Sequence, residues 1–457
     1  MTNTPERNIL KTLYLDNFRS FQKTKIDFSK ITLLTGANSS GKSSIINSIL
    51  SIVQSEQFPY FLSLNGKYVE LGGFEEIARN GKTNNDIEIS GEYFTEIWYD
   101  RNKYKTSFKT IWEVNTVNDS PKIKELSLEN DFLNIKISSK YYENEDGQKR
   151  QTYCLSIQAF ALGFILKELK KRFQNIPQIK NSKKQKYTKN VISFEDAKFD
   201  SLEEMFSDFM DNETNYFMKH INHTIFSTIG YIENKFNFIG SFRYPPQRTY
   251  YQKSGSKRKV NFSGEGYVDQ LVEWEEKNDI KMTKLKDTLI DLELATDIKS
   301  HKLKGGRFEL KLKTSEKSFQ SSLSDVGFGL SQFLPIIVAD LQLGSNSLLA
   351  VSQPEIHLHP KVQANFANYL TKQINENNKQ YIIESHSEYL INRIRLLIAE
   401  GELSTNDVKV YYLEKVANTS ILHEVNFEKD GRITGAPDSF FDTYMMDVMN
   451  IAIAATE

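Results

Sequence analysis

The stretch Ile31-Thr32-Leu33-Leu34-Thr35-Gly36-Ala37-Asn38-Ser39-Ser40-Gly41-Lys42-Ser43-Ser44-Ile45-Ile46 decides the fold. Its first five residues form an apolar, partly β-branched run that enters a glycine, the pattern of a buried strand. Ile45, Ile46, Ile49, Leu50 and Val53 then recur at helical spacing. The order is strand, glycine loop, helix. Gly36–Ser43 fits G-x-x-x-x-G-K-[ST]. Glycines at these points let the backbone wrap with its N–H groups turned inward on phosphate, Lys42 reaches the β and γ phosphates, and the Ser43 hydroxyl can ligate Mg²⁺. The expected nucleotide contacts are therefore Gly36, Asn38, Ser39, Gly41, Lys42, Ser43 and Ser44, with Ser43 also a metal ligand. A chance match in a Gly/Ser-rich turn is the alternative, and the strand-then-helix context argues against it.

Working outward, Thr12 to Phe18 alternates and Lys25 to Phe28 forms a second short strand. From about residue 86 to 158 the period is two: Ile87/Ile89, Phe108 to Val114, Leu126/Leu128 and Leu133 to Ile137 read as antiparallel strands with polar turns such as Asn144-Glu145-Asp146-Gly147. Residues 159–235 change character. Lys167, Lys170, Lys171, Arg172, Lys180, Lys183, Lys184, Lys186 and Lys189 read as a mobile basic linker, followed by an amphipathic helix bearing Leu202, Met205, Phe206, Phe209 and Met210.

The α/β pattern resumes near Phe236, with a hairpin expected around Gly305-Gly306. Ser347 to Val351 and Tyr381 to Ile383 read as buried parallel strands, separated by a helix stripe of Val362, Phe366, Leu370 and Ile374. A hairpin (Val408 to Leu413, Ser420 to Phe427) and a helix with Tyr444, Met445, Val448 and Ile451 follow. There is no internal repeat and no long heptad run.

Composition narrows the functional classes. The 457 residues suffice for two to four structural units, and 39% hydrophobic content fits a folded chain. The 58 basic residues nearly balance 59 acidic ones, so any nucleic-acid surface must be a local patch. The single cysteine, Cys154, excludes an internal disulfide and a cysteine-rich zinc site. No apolar run approaches the ~20 residues of a membrane span, and the polar N-terminus lacks a signal peptide's core. A cytoplasmic protein with no membrane partner is expected.

Two further strand ends carry polar groups. Leu348-Leu349-Ala350-Val351 ends in Ser352-Gln353-Pro354-Glu355-Ile356-His357-Leu358-His359-Pro360. Glu355 is the nearest carboxylate. His357 and His359 have no third ligand close by in sequence and read as part of a structured turn rather than a metal site. Tyr381-Ile382-Ile383-Glu384-Ser385-His386-Ser387-Glu388 delivers His386 to the C-terminal end of a strand, where α/β folds place ligand contacts. The imidazole could meet a γ-phosphate or cap the next helix. Glu384 and Glu388 read as solvated or as partners of Arg393 and Arg395. Phe238 to Arg248 reads equally as a structural corner or a phosphate-facing loop.

Taken in order, these motifs resemble the SMC/RecF-like, OLD-type branch of ABC ATPases, which bacteria often encode in antiphage defence operons. The likeness covers about 10–85 and 236–415. It is carried by the phosphate loop, Asp325-Val326-Gly327-Phe328-Gly329, Gln353 to Pro360 and Glu384 to Glu388. The fold it implies is an α/β, ABC-type ATPase head with a small C-terminal cap; the antiparallel β flank and the mainly helical insertion, which matches nothing in that branch, are read from the sequence pattern. The corresponding domains are 1–158 (first lobe with phosphate loop and flank), 159–235 (helical insertion), 236–415 (second lobe) and 416–457 (cap).

The resemblance also implies ATP and Mg²⁺, and a head-to-tail sandwich in which Lys42 and Ser43 of one protomer face Ser324, Gly327 and Gly329 of the other. Such ATPases usually end the strand before Pro354 with an acid for Mg²⁺ and a glutamate that polarises water. Here Ser352 stands in the metal position and Gln353, Glu355 and His386 form the catalytic set, so slow hydrolysis is expected. The implied assembly is an ATP-dependent dimer or higher even oligomer acting as sensor or regulatory subunit of a defence complex. A separate effector such as a nuclease is expected, because the stretch after Leu413 is too short for a Toprim domain. The alternative is a DNA-repair ATPase that binds duplex DNA through the basic stretch at 167–189, which includes Lys183, Lys184 and Lys186; Lys253, Lys257, Arg258 and Lys259 form a second basic cluster.

Overall fold

A computed structural model describes residues 9–96, 103–131, 133–143, 149–160, 170, 173–188, 191–202, 204–205, 233–251, 259–440 and 453–454. The turn at 144–147, the helix stripe from Phe206 onward, Lys253 to Arg258 and the helix at 444–451 lie outside the described residues. The chain forms two compact units: residues 1–27 with 47–234, and 28–46 with 235–457.

The first unit is built on a nine-stranded sheet. Its order is Thr24–Asp27, Leu10–Asp16, Ile87–Glu96, Lys103–Asn115, Ser120–Asn130, Leu133–Glu143, Lys149–Phe160, Val191–Phe199 and Lys183–Tyr187. All the pairings are antiparallel. Ile87, Ile89, Phe108, Trp112, Leu126, Leu128, Ile135 and Ile157 are buried, as period-two strands with one packed face require.

The last two strands correct an expectation. Lys183 to Lys186, expected as a mobile linker in a helical insertion, form an edge strand paired with Val191–Phe199. Ile192, Phe194, Ala197 and Phe199 are buried, and a register shift between Phe194 and Ala197 breaks the simple alternation that marks a strand. The exposed lysines suit an edge, where charge blocks further pairing.

The second unit carries a seven-stranded sheet. The elements that frame this sheet are β1 (Ile31–Gly36), α1 (Lys42–Gln54, of which residues 42–46 belong to this unit), β2 (Phe236–Ile239), α2 (Phe328–Gln342), β3 (Leu348–Ser352), α3 (Pro360–Asn377), β4 (Gln380–Glu384), α4 (Glu388–Ala399), β5 (Val408–Val416), β6 (Thr419–Phe427) and β7 (Ile433–Thr434). The order is β2-β3-β4-β1-β5-β6-β7. The first five strands are parallel and the last two add on antiparallel. A smaller sheet joins Asp297–Leu303 and Arg307–Lys313 across the Gly305-Gly306 turn, as expected.

This topology corrects two boundaries. The phosphate loop, expected in a lobe spanning 1–158, belongs with 235–457, because β1 is held between β4 and β5. The cap expected from residue 416 is not separate at its start. β5 runs through Val416 and pairs with β6 in one hairpin.

Burial explains the sheet's solidity. All the residues of β1, β3 and β4 are buried, as in a parallel sheet covered on both faces. α2 is buried from Leu330 to Leu341. Within it Asp340 accepts from Tyr369 Oη at 2.5 Å and Tyr381 Oη at 3.1 Å and pairs with Lys379 Nζ at 2.9 Å. This buried charge is therefore fully engaged, tying α2, α3 and β4 together.

Candidate nucleotide site

The site assembles at the C-terminal ends of β1, β3 and β4. β1 ends at Gly36, whose φ of 127° favours glycine. A Cβ there would lie 2.0 Å from the carbonyl oxygen of Leu413, so the loop root fits closely against β5. Ala37 N–H donates to that same oxygen at 3.2 Å, and Ser420 Oγ donates to the carbonyl of Ser40 at 2.5 Å. Gly41 adopts φ 109° and Ser39 φ 58°, the turn that a phosphate cradle needs. α1 starts at Lys42, so the N–H groups of Lys42 and Ser43 stand ahead of the first helical acceptors and face the loop.

Lys42 is buried. Its Nζ donates to the carbonyls of Gly36 at 3.0 Å and Ala37 at 2.7 Å. Burial pushes its ammonium below the usual lysine range, and the carboxylates of Glu384 and Glu355 partly offset that. Both acids thus lie within electrostatic reach of the lysine.

Glu384 is the residue that sequence reasoning misplaced. It is neither solvated nor paired with Arg393 or Arg395, which turn to Asn368 and to Gly431 and Asn392. It is only 6% exposed. Ser43 Oγ donates to its two oxygens at 3.0 and 3.1 Å, and Ser352 Oγ donates to Oε2 at 3.2 Å. The strand register made this possible: β3 and β4 are parallel, with Ser352 directly beside Glu384. A signal was present in the sequence, since an acid ends the apolar β4 run, but without strand order nothing showed which loop it faced.

Glu355 reaches the same end of the sheet from the turn after β3. Its Oε1 accepts from the backbone N–H of His386 at 2.7 Å and its Oε2 from Ser385 Oγ at 2.9 Å. The His386 ring reaches solvent. Burial of its inner part, then Lys42, holds its pKa below the usual 6.5, with Glu384 pulling the other way. Protonation of the ring is thus disfavoured by its surroundings. Gln353 adopts φ 50°, and its N–H donates to the carbonyl of Glu384 at 2.7 Å, fixing the turn.

Within the Phe238 to Arg248 segment, Arg243 has a structural role. Buried, it donates to the carbonyls of Gly240 at 3.0 Å, Gln332 at 2.8 Å, Ser352 at 3.3 Å and Gln353 at 2.6 Å. Burial pushes its guanidinium down to about 10, partly offset by Glu355. It braces the β3 end that carries the polar groups.

The expected signature residues lie elsewhere in the unit. Ser324 Oγ meets Ser322 Oγ at 3.1 Å, and Arg248 pairs with Asp325 at 2.7 Å. Gly327 caps α2 with open space around its Cα, while a Cβ on Gly329 would lie 2.2 Å from the carbonyl oxygen of His357. Phe328 packs edge-on against His357 at 4.9 Å. His359 caps α3 by accepting from Lys361 N–H. These two histidines thus have structural roles, and among the described residues no group of three His, Cys, Asp or Glu could hold a metal alone.

The phosphate loop, lysine and helix start thus converge as a phosphate cradle. The model of the AAA ATPase domain matches residues 9–391. The chain belongs to the AAA ATPase domain family. This AAA ATPase is 51% identical over 41 residues to the DNA replication and repair protein RecF of Clostridium acetobutylicum, a match covering 9% of this chain and 11% of RecF. It is also similar to the SMC head domain of Thermotoga maritima, at 11% identity and a TM-score of 0.39, covering 91% of this chain and 99% of that one. A second similar structure is the Smc head domain bound to the C-terminal domain of ScpA from Pyrococcus furiosus (13% identity, TM-score 0.42, covering 98% and 99%). The AAA ATPase binds ATP and combines a largely parallel α/β sheet with a separate antiparallel one. Among its described residues no helix is long and apolar enough to cross a membrane.

Proposed function

We propose that this ATPase is a slow, ATP-gated switch that closes head-to-tail on a second copy of itself. The observation that carries the reading is the start of α2. Gly327 is exposed, nothing crowds it, and Phe328 beside it is 44% exposed. A 15-residue helix therefore presents its N-terminal N–H groups outward, where a γ-phosphate held by another protomer's Lys42 and Ser43 could be received. Ser324 adds a hydroxyl on the same approach.

In this reading Gly36, Asn38, Ser39, Gly41, Lys42, Ser43 and Ser44 hold the triphosphate. Mg²⁺ would sit at Ser43 and supply charge neutralisation between phosphates. The chain's own acid nearest to water activation is Glu355, which Ser385 and the His386 N–H hold in place. Gln353 carries no charge and could only orient a water. Turnover is slow because Glu355 is committed to two hydrogen bonds that it must share with the attacking water.

Sedimentation of the purified chain with ATP and with ADP tests the gating. ATP should raise the proportion of dimer in wild type and leave Lys42→Ala and Ser324→Arg as they were. An unchanged wild-type distribution would remove the basis of the switch.

The wider role, a sensor or regulatory subunit of an antiphage complex that governs a separate effector such as a nuclease, is supported by the sequence resemblance in the 325–329, 353–360 and 384–388 segments. The alternative is a repair ATPase that binds DNA itself, which the short likeness to RecF favours. Against it, Lys183 and Lys184 are already paired with Asp196 at 3.6 Å and Glu195 at 2.8 Å. Salt-sensitive DNA binding, lost on reversing Lys183, Lys184 and Lys186, would establish the alternative.

A further inference from the structure

We propose that Glu384, reaching across from β4, is the acid that holds Mg²⁺ in this ATPase, and that Ser352 positions it. This rests on the reading of the site as a Mg²⁺–ATP site and deepens it.

A carboxylate buried to this degree is costly unless cations or hydrogen bonds compensate it. Glu384 accepts from two neutral hydroxyls, and among the described residues no lysine or arginine forms an ion pair with it. Lys42 acts on it only through space. Its surroundings thus favour an added cation.

The geometry suits that cation. The phosphate-loop hydroxyl expected on Mg²⁺, Ser43 Oγ, lies 3.0 and 3.1 Å from the carboxylate oxygens. Two oxygens at neighbouring corners of an octahedron with bonds of about 2.1 Å lie about 3.0 Å apart. Ser43 and Glu384 are therefore already at the spacing of adjacent ligands. Mg²⁺ characteristically takes one or two carboxylates with phosphates and waters, so one acid suffices.

The exchange of positions is what parallel register permits. Ser352 and Glu384 are side by side at the ends of β3 and β4. A short hydroxyl on β3 leaves room for the longer acid on β4 to reach the loop. Ser352 Oγ then donates to Oε2 and fixes the carboxylate's rotation. Ser352 becomes a positioning residue instead of a metal ligand.

The test is binding of a fluorescent ATP analogue to the full chain, titrated in EDTA and in MgCl₂, so that the gain conferred by the metal is read apart from turnover. Wild type should bind more tightly with Mg²⁺. Glu384→Gln should keep the EDTA affinity and lose roughly tenfold or more of the gain. Ser352→Ala, which frees the carboxylate's rotation, should keep the EDTA affinity and lose part of the gain, less than Glu384→Gln does; an undiminished gain in Ser352→Ala would remove its positioning role. Ser352→Asp combined with Glu384→Gln should restore the gain, since the acid returns to the same place from the neighbouring strand. A Glu384→Gln chain with an undiminished gain would overturn the assignment, as would a folded double variant without one. The double variant also covers the case in which Glu384→Gln alone does not fold. Wild type that binds no analogue in either buffer, with Lys42→Ala identical to it, would instead refute the nucleotide reading beneath.

Discussion

The carboxylate of Glu355 accepts the backbone N–H of His386 at 2.7 Å, so the acid after β3 is fastened to the loop after β4. The same acid accepts Ser385 Oγ at 2.9 Å. In the proposed switch these two anchors hold the carboxylate in place and compete with a water for it. Glu355→Gln retains an acceptor oxygen but removes the base. It should lower phosphate release by about 10²–10⁴-fold with nucleotide affinity nearly unchanged. Gln353→Ala, assayed in parallel, should have the smaller effect; the reverse ranking would transfer the role to Gln353.

Gly36→Ala brings both a strained φ and a collision. The added Cβ would meet the Leu413 carbonyl at 2.0 Å where φ is 127°. The conformational strain alone is worth about 1–3 kcal/mol, and the clash adds to it by parting β1 from β5. A lowered midpoint in thermal unfolding and lost nucleotide binding are expected. A variant with wild-type stability would show that the loop root is looser than the structure makes it.

Asp340 is the strongest stability test. Tyr369, Tyr381 and Lys379 all converge on it, and the Lys379 and Asp340 side chains are 4% and 1% exposed. Removing one partner of such a pair leaves a buried charge alone. Asp340→Ala should destabilise by about 3–5 kcal/mol in denaturant unfolding. The double change Asp340→Leu with Lys379→Met should cost less than Asp340→Ala, because no charge is stranded.

His386 makes a directional claim about pH. Burial and Lys42 lower its pKa in the folded chain, so the unfolded chain takes up the proton first. Its contribution to stability is complete above the usual value of 6.5 and declines as pH falls through that value toward the lower folded one. Unfolding midpoints at pH 7.5 and 5.5 should therefore differ more in wild type than in His386→Gln. Equal differences would mean that the ring is not held neutral by its surroundings.

Much of this was legible in the sequence where signals were local. The strand–loop–helix order around Lys42, the apolar runs of β3 and β4, the stripe Val362, Phe366, Leu370 and Ile374 and the terminal hairpin all appear in the structure. The pairing of β1 with β4 and β5 was not legible, since its partners lie more than 340 residues away in sequence, beyond any periodicity. Lys183 to Lys186 misled because an exposed edge strand needs no apolar alternation of its own. Glu384 was hidden for a third reason. The meaning of an acid at a strand end depends on which strand lies beside it, and that is settled by strand order alone.

The tight approach of Gly329 to His357 has a mechanical consequence. No side chain could fit between the first turn of α2 and the carbonyl at 357, and Phe328 grips the His357 ring from the same turn. The helix start and the turn after β3 are therefore one rigid lever. Glu355 is carried two residues before His357, so a nudge delivered to the exposed tip of α2 displaces the backbone that aims this acid. If the proposed switch holds, the surface offered to a second molecule is thus geared directly to the group that would decide how soon it is let go.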